Sequence, residues 1–274
     1  FEQRNPHRFY PAFVQRGESG EVFFTKTRVR SRVEFGGLEH EAKVLRRLPE
    51  GVNAPKVIDY TPARDRELEM LVLSSVRFSE GMALPAEQWQ PANAQSAARQ
   101  IRVLETMRME DVPELSAEVD VSLEYLLEHV GSFLPADLDQ TTKEVLRQYS
   151  PQETSLVLVH RDLQPRNIVV LKTGECVPVD WEQGGAGYRG QDAGLLLWQL
   201  WGNESSRQAF IDTYIEADNL ADRAQRLARL RFGVLLEFLR QVSWHAKRPD
   251  QVQAEIARLG PRLTEILATL AEQT

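Results

Sequence analysis

The residues LVLVHRDLQPRNIVV occupy positions 156–170, and VPVDWE follows at positions 177–182 after a short turn. Two apolar strands therefore flank a polar loop, and a third strand returns beside them. We expect this arrangement to place the side chains of Asp162, Asn167 and Asp180 at the rim of a rigid apolar base. Carboxylate and amide oxygens at such a rim are ligands that Mg²⁺ prefers in proteins.

The residues before this island predict a small sheet with one helix. Alternating apolar and polar residues predict four strands, at 9–14, 22–29, 56–60 and 68–76. Apolar residues at helical spacing predict a helix at 38–48, which ends before Pro49. The segment from Gly17 to Gly20 is predicted to form the turn between the first two strands.

After Gly81 the pattern changes to long helical periods. These periods predict helices at 97–107, 122–130 and 141–149, and through almost everything beyond Asp192. The sequence therefore predicts an α+β fold with two lobes, an N-terminal lobe at residues 1–75 and a mainly helical C-terminal lobe at residues 76–274.

The composition of the chain argues against some classes of binding partner. The chain has 274 residues, with 33 Lys and Arg against 40 Asp and Glu and a net charge of −7. No long basic run is present, which argues against a nucleic-acid partner, and no apolar stretch approaches the length of a membrane span. The single cysteine excludes an internal disulfide and favours a reducing compartment, so we predict a soluble, cytoplasmic protein. The sequence gives no prediction of oligomeric state.

The polar island suits phosphoryl transfer. That reaction needs a metal held by hard oxygen ligands and one carboxylate that orients the attacking hydroxyl. Asp162 suits the second task, and Asn167 with Asp180 suits the metal. An ordinary polar turn also favours Asp and Asn, but it does not require a second carboxylate after the next strand.

The segment from His160 to Asn167 matches the kinase catalytic-loop pattern H-R-D-L-x-x-x-N, and Asp180 stands at the position of the D-F-G aspartate. The wider pattern resembles the aminoglycoside phosphotransferase family, which is related to choline, homoserine and fructosamine kinases. This resemblance implies a protein-kinase-like fold, with a small antiparallel sheet and one helix in the N-lobe. It also implies that ATP and Mg²⁺ are bound and that the γ-phosphate passes to a hydroxyl, with Asp162 as catalytic base.

The resemblance further implies how the nucleotide is held. Lys26 on an N-lobe strand would meet the phosphates, and Glu41 on the helix would hold Lys26, with Glu39 as the alternative. The connection Ser74-Ser75-Val76 would pair with adenine through its backbone. Apolar walls would come from Val169 and Val179.

The acceptor is predicted to be a small molecule. The chain reaches Asp192 soon after Asp180, which leaves no room for the long activation segment on which protein kinases bind peptides. The resemblance implies that the C-terminal helices line the acceptor pocket. Acidic side chains that could receive an amine-bearing acceptor are Glu182, Glu204, Asp212 and Glu216.

Other residues of the island have open or structural roles. His160 is predicted to be a buried scaffold residue and Arg161 to make a structural ion pair. Asp192 either caps a helix or, as the resemblance implies, braces the catalytic loop by accepting backbone hydrogen bonds. Departures from the family pattern are Gln164 for a histidine, Arg166 for a glycine, and Glu105 for a histidine.

The glycine-rich loop is the weakest match. The turn at Gly17 to Gly20 lies only a few residues before Lys26, whereas residues 4–10 resemble the stretch that enters the second strand of the family. The first strand and part of the loop are therefore predicted to be absent or degenerate. This keeps open a catalytically silent nucleotide-binding module. A third reading is metal-dependent phosphoester hydrolysis by Asp162 and Asp180.

Overall fold

The computed structural model describes residues 12–16, 22–29, 37–62, 68–74, 81–115, 122–149, 156–245 and 248–273. Within these ranges the chain forms small antiparallel sheets followed by a mainly helical part, so the predicted α+β class is confirmed. None of the helices in these ranges combines the length and apolarity that a membrane span requires.

The N-terminal lobe is a four-stranded antiparallel sheet with one helix. Its strands are β1 (Ala12–Arg16), β2 (Val22–Val29), β3 (Val57–Thr61) and β4 (Leu68–Ser74), in the order β1-β2-β4-β3. The helix α1 spans Gly37–Arg47. It buries Leu38, Ala42 and Leu45 along one face, as the helical spacing predicted.

The C-terminal lobe contains five short strands and seven helices in the described ranges. The strands are β5 (Gly81–Ala83), β6 (Val157–Val159), β7 (Ile168–Leu171), β8 (Cys176–Pro178) and β9 (Gly185–Gly187). They pair antiparallel as β5-β7-β8 and as β6-β9. The helices are α2 (Pro91–Leu104), α3 (Leu123–Val130), α4 (Ala136–Tyr149), α5 (Gln191–Leu200), α6 (Glu204–Ile215), α7 (Leu220–His245) and α8 (Pro249–Ala271).

Several helices begin at local capping signals. Pro91 occupies the first turn of α2, where its missing N–H would have no partner inside the helix. The Ser122 side chain accepts a hydrogen bond from the Tyr125 N–H at 3.1 Å and so caps α3. The Asn203 side chain accepts from the Ser206 N–H at 3.2 Å and caps α6.

One apolar core joins the two lobes. Leu38 and Ala42 of α1 and Leu71 of β4 pack in a single cluster with Leu158 and Trp181 of the C-terminal lobe. A second, larger core holds the helices of the C-terminal lobe together. The strands that carry the polar island therefore lie between the two cores, and both cores keep them rigid.

Helices α5 and α7 approach each other through glycine. A Cβ atom on Gly233 would lie 1.8 Å from the carbonyl oxygen of Gly190, and one on Gly194 would lie 1.9 Å from the carbonyl carbon of Gly233. Only a residue without a side chain fits such a contact. The contact sets the position of the first turn of α5.

The predicted elements agree with most of the observed ones. The predicted strand at 22–29 is confirmed to the residue as β2, and the predicted helix at 38–48 is α1 shifted by one residue. The short strands β5 and β9 were not predicted. The turn at 17–20, the stretch at 4–10 and the proposed lobe boundary between residues 75 and 76 lie outside the described residues.

Candidate active site

The catalytic-loop candidate is a rigid connection between β6 and β7. His160 is fully buried, and its Nε2 donates to the Val179 carbonyl at 2.9 Å. The Asp192 carboxylate accepts from the backbone N–H of His160 at 2.6 Å and of Arg161 at 3.0 Å. Gly190, not Asp192, is the N-cap of α5. Asp192 therefore braces the loop.

Two residues of the site have left-handed backbone conformations that side chains disfavour. Arg161 has φ 67° and Asp180 has φ 69°. The guanidinium of Arg161 donates to the Ala186 carbonyl on β9 at 2.7 Å, which fixes the loop to the neighbouring strand. This hydrogen bond gives Arg161 a structural role in the loop.

The Asp162 carboxylate is oriented by its own loop. Gln164 Nε2 donates to Oδ1 at 2.7 Å, and Asn167 Nδ2 donates to Oδ2 at 2.8 Å. Arg166 lies 3.3 Å from both oxygens, with its side chain 65% exposed against 19% for Asp162. The candidate base is thus held in one orientation while part of it still reaches solvent.

Asn167 presents its amide oxygen away from Asp162. Its Nδ2 also donates to the Asp162 carbonyl at 2.9 Å, so both of these hydrogen bonds use the nitrogen of the amide. The Asn167 carbonyl accepts from the Val179 N–H at 2.9 Å, which holds the chain entering Asp180 beside the loop. An amide oxygen and a carboxylate are therefore held on neighbouring segments of chain.

This pair fits a metal that also binds phosphate. Mg²⁺ is usually held by one or two protein oxygens, with phosphates and water completing the shell. In the described part of the chain, no group of three or more His, Cys, Asp or Glu side chains is arranged to hold a metal. The amide oxygen of Asn167 and the carboxylate of Asp180 are donors that could hold such a metal.

Lys26 connects the two lobes. Its Nζ lies 2.8 Å from both carboxylate oxygens of Glu41 on α1 and 2.7 Å from Oδ1 of Asp180. Burial alone would lower the pKa of Lys26, but the two carboxylates outweigh it and raise the pKa. Lys26 is therefore protonated at neutral pH. The alternative Glu39 is exposed and pairs with Lys43 at 2.9 Å.

Glu41 also anchors the segment that carries Asp180. It is fully buried, and its Oε1 accepts from the Trp181 N–H at 3.2 Å. One carboxylate thus holds both the lysine and the chain next to the metal-ligand candidate. Lys26 thus joins Glu41 and Asp180 across the two lobes, and Asn167 joins Asp162 within the catalytic loop. The hydrogen bond from the Val179 N–H to the Asn167 carbonyl links the two groups.

The predicted adenine site is only partly described. Val169 is buried in β7, and Val179 is half-buried next to Asp180. The Ser74 N–H donates to the Lys56 carbonyl at 2.7 Å, so this donor is used within the N-lobe. Ser75 and Val76 lie outside the described residues.

The sequence analysis missed two apolar candidates on the N-lobe sheet. Phe24 lies two residues before Lys26 in β2, and Val14 of β1 pairs directly with Phe24. Residues two apart in a strand, and residues directly opposite in a pair, share one face of the sheet. Val14, which is 58% exposed, and Phe24 therefore lie on the face that carries Lys26. The spacing of Phe24 from Lys26 was the available signal.

A second group of residues that the sequence analysis missed lies on α7, which contacts the catalytic loop through Arg240 Nη1 and the Arg161 carbonyl at 3.4 Å. Glu237 is buried, accepts from Gln241 Nε2 at 2.8 Å and lies 3.8 Å from Arg240. Burial raises the pKa of Glu237, and the charge of Asp162 adds to this, while Arg240 and Gln241 oppose it. Burial therefore favours the neutral form of Glu237.

The acidic residues named as acceptor candidates are divided among several places. Glu182 follows Asp180 directly, in a short 3-10 turn. Glu204 lines an open depression of about 620 Å³ at the start of α6, and Asp212 and Glu216 line another of about 260 Å³ at its end. Of the four, only Glu182 is adjacent in sequence to the site.

Glu105, which departs from the family pattern, lies in the scaffold of the site. Its side chain is fully enclosed and accepts from the Gly190 N–H at 2.7 Å and from the Tyr214 hydroxyl at 2.8 Å. Burial raises the pKa of Glu105, and these two donors oppose the increase. Gly190 is the N-cap of α5, the helix that carries Asp192. Through its hydrogen bond to Gly190, Glu105 therefore helps to hold Asp192 where it braces the catalytic loop.

Comparisons with known proteins show the family and the fold of the chain. A family model described as "Phosphotransferase enzyme family" matches residues 12–232. No curated protein sequence matches the chain. Among solved structures, the fold is similar to an ethanolamine kinase from Plasmodium vivax, at 13% identity and a TM-score of 0.58, with 92% of this chain and 78% of that chain covered.

Two further structures are similar over most of their length. A choline/ethanolamine kinase family protein from Mesorhizobium loti is 17% identical, with a TM-score of 0.58 and coverage of 98% of this chain and 96% of that chain. An amicoumacin kinase in complex with AMP-PNP, Ca²⁺ and Ami is 15% identical, with a TM-score of 0.53 and coverage of 96% and 85%. At these identities the likeness shows the fold alone, and the predicted kinase-like two-lobe fold is confirmed.

Proposed function

Because the chain belongs to the phosphotransferase enzyme family, we propose that it transfers the γ-phosphate of Mg·ATP to a hydroxyl group of a small molecule. The observation that carries this proposal is the contact of Lys26 with Glu41 and Asp180, which joins a phosphate-binding cation to a metal-ligand candidate across the two lobes. ATP or a related nucleotide fits this arrangement, since the similar amicoumacin kinase is in complex with AMP-PNP and a divalent metal.

In the proposed reaction, Asp162 orients the acceptor hydroxyl and takes its proton. The acceptor oxygen forms a bond to the γ-phosphorus, while the bond from that phosphorus to the β–γ bridging oxygen breaks and its electron pair stays on ADP. Lys26 holds the phosphates that leave with ADP. Asn167 and Asp180 would hold Mg²⁺, whose charge would offset that of the phosphate oxygens.

We further propose an acceptor that carries an amine. The chain has a net charge of −7, which favours a cationic acceptor. Two of the similar structures are kinases whose names include ethanolamine. We also propose that the reaction takes place in the cytoplasm, where ATP is abundant. A chain with a single cysteine cannot form an internal disulfide, and this favours a reducing compartment.

The test is a screen of amines and alcohols for phosphate transfer from Mg·ATP, combined with nucleotide binding by calorimetry. We expect Asp162→Asn to abolish transfer and to leave Mg·ATP affinity within about threefold, because the base is needed only for the chemical step. Asp180→Ala should weaken Mg·ATP binding itself. Asp139→Asn, in an exposed pair with Lys143, is the control and should change neither.

Two other results would favour the alternatives. Binding of Mg·ATP without turnover of any acceptor would support a nucleotide-binding module without catalytic activity. Hydrolysis of phosphomonoesters in the absence of nucleotide would support metal-dependent hydrolysis by Asp162 and Asp180. Unchanged transfer by Asp162→Asn would overturn the assignment of the base.

A further inference from the structure

Arg166 is the exposed cation next to the candidate base. It lies in the short 3-10 turn Pro165–Asn167, between Asp162 and the metal-ligand candidate. Its Nη2 is 3.3 Å from both carboxylate oxygens of Asp162. In the family pattern this position is frequently glycine, so the guanidinium is a feature of this chain.

The ion pair between Arg166 and Asp162 is weak enough for Arg166 to exchange Asp162 for another anion. A distance of 3.3 Å is long for a charge-assisted hydrogen bond, and the arginine side chain is 65% exposed. Asp162 does not depend on Arg166 for its orientation, because Gln164 and Asn167 hold one oxygen each at 2.7 and 2.8 Å. The guanidinium can therefore leave the carboxylate for a stronger anion without disturbing it.

Other described cations near the loop have defined structural contacts. Lys26 is held by Glu41 and Asp180 at 2.8 and 2.7 Å. Arg161 donates to the Ala186 carbonyl, and Arg240 lies 3.4 Å from the Arg161 carbonyl. These contacts hold Lys26 next to the metal-ligand candidate Asp180. They hold Arg161 and Arg240 against the backbone of the catalytic loop and its neighbouring strand. Arg166 differs from them because its side chain is mostly exposed and lies next to the candidate base Asp162.

We propose that Arg166 is a catalytic residue that donates hydrogen bonds to the oxygens of the transferred phosphoryl group. This inference rests on the proposed function. The phosphoryl group must pass between the metal ligands and the hydroxyl held by Asp162, and Arg166 is attached at that boundary. The transition state of the transfer spreads negative charge over the phosphoryl oxygens, and a planar guanidinium can contact two of them at once.

The first test measures binding and does not require a known acceptor. Mg·ADP is titrated into the protein with and without fluoroaluminate, which occupies the place of the transferred phosphoryl group. Arg166→Ala should reduce the affinity for Mg·ADP with fluoroaluminate by about 100-fold, the usual effect of removing one donor to a developing charge. It should change the affinity for Mg·ADP alone by less than about threefold. Arg166→Lys should recover part of the loss, because it restores one charge without the fork.

Two controls separate this role from a structural one. Arg258→Ala removes an equally exposed arginine that pairs with Glu255 on α8, and it should affect neither affinity. If Arg166 acted only by orienting Asp162, its removal would have no effect in an Asp162→Asn background. We expect the same loss of fluoroaluminate-dependent affinity in that background.

Turnover gives a second readout once an acceptor is found. Arg166→Ala should lower kcat by about 10²- to 10³-fold with little change in the KM for ATP, and added guanidinium ion should restore part of the rate. Unchanged affinity for Mg·ADP with fluoroaluminate in Arg166→Ala would overturn the role of Arg166 and leave the proposed function standing. Failure of the unsubstituted protein to bind Mg·ATP would overturn both.

Discussion

The close approach of α5 and α7 gives a prediction of stability that does not depend on the proposed function. In Gly233→Ala, the added Cβ would lie 1.8 Å from the carbonyl oxygen of Gly190 and 2.6 Å from its carbonyl carbon. Both atoms belong to the backbone, so no side-chain rotation can relieve the contact. The two helices must separate by about 1 Å or more to restore ordinary packing.

The size of the effect follows from two opposing contributions. Alanine in a helix interior is favoured over glycine by up to about 1 kcal/mol. Overpacking that forces backbone to shift costs about 1–3 kcal/mol, and here the upper end applies. We therefore expect Gly233→Ala to lower the free energy of unfolding by about 2 kcal/mol.

The assay is urea unfolding followed by tryptophan fluorescence, with the same substitution at Gly131 as the control. A Cβ on Gly131 would meet no atom within 4 Å, and its φ of −58° suits alanine. Gly131→Ala should be neutral or stabilising by up to about 1 kcal/mol. Free energies of unfolding within about 0.5 kcal/mol of each other for the two variants would refute the argument from close packing.

Two further predictions concern buried titratable groups. Burial raises the pKa of Glu105 above its ordinary value of 4.5, so the stability that protonated Glu105 contributes is complete below that value and is lost as the pH rises. In thermal unfolding, Glu105→Gln should therefore become more stable relative to the unsubstituted protein between pH 5 and pH 8, and a constant difference would contradict this. Burial also raises the pKa of the Cys176 thiol to about 12, so a thiol reagent at pH 8 should leave the native protein unlabelled and should label one thiol in urea. Rapid labelling of the native protein would show that the strand β8 is not packed as described.

Local pattern was enough to predict the elements whose side chains alternate or repeat strongly. Strand β2 was predicted to the residue because six of the eight residues in Val22–Val29 are β-branched or aromatic. The short strands β5 and β9 were missed, because three residues with glycine carry no periodicity. Such strands form only because β7 and β6 are already in place beside them.

The residues of the candidate site also differ in whether local sequence was enough to predict them. The order of Lys26, Glu41 and Asp180 along the chain was enough to predict their grouping, because each lies in a recognisable motif. Glu237 could not be assigned to the site, since its distance from Asp162 depends on how a 26-residue helix packs. The available signal was a single carboxylate inside the apolar run at 234–239. A charge in that setting predicts a buried polar contact but not its partner.

The left-handed backbone conformations of Arg161 and Asp180 lower the stability of the fold, although both residues contribute contacts to the candidate site. Each such conformation costs a residue with a side chain about 1–2 kcal/mol, and glycine would adopt it freely. Laboratory evolution for thermal tolerance alone would therefore favour glycine at both positions. At position 180 the same change would also delete the carboxylate that accepts from Lys26 Nζ at 2.7 Å, so it would relieve the backbone at the expense of one of the contacts that join the lobes.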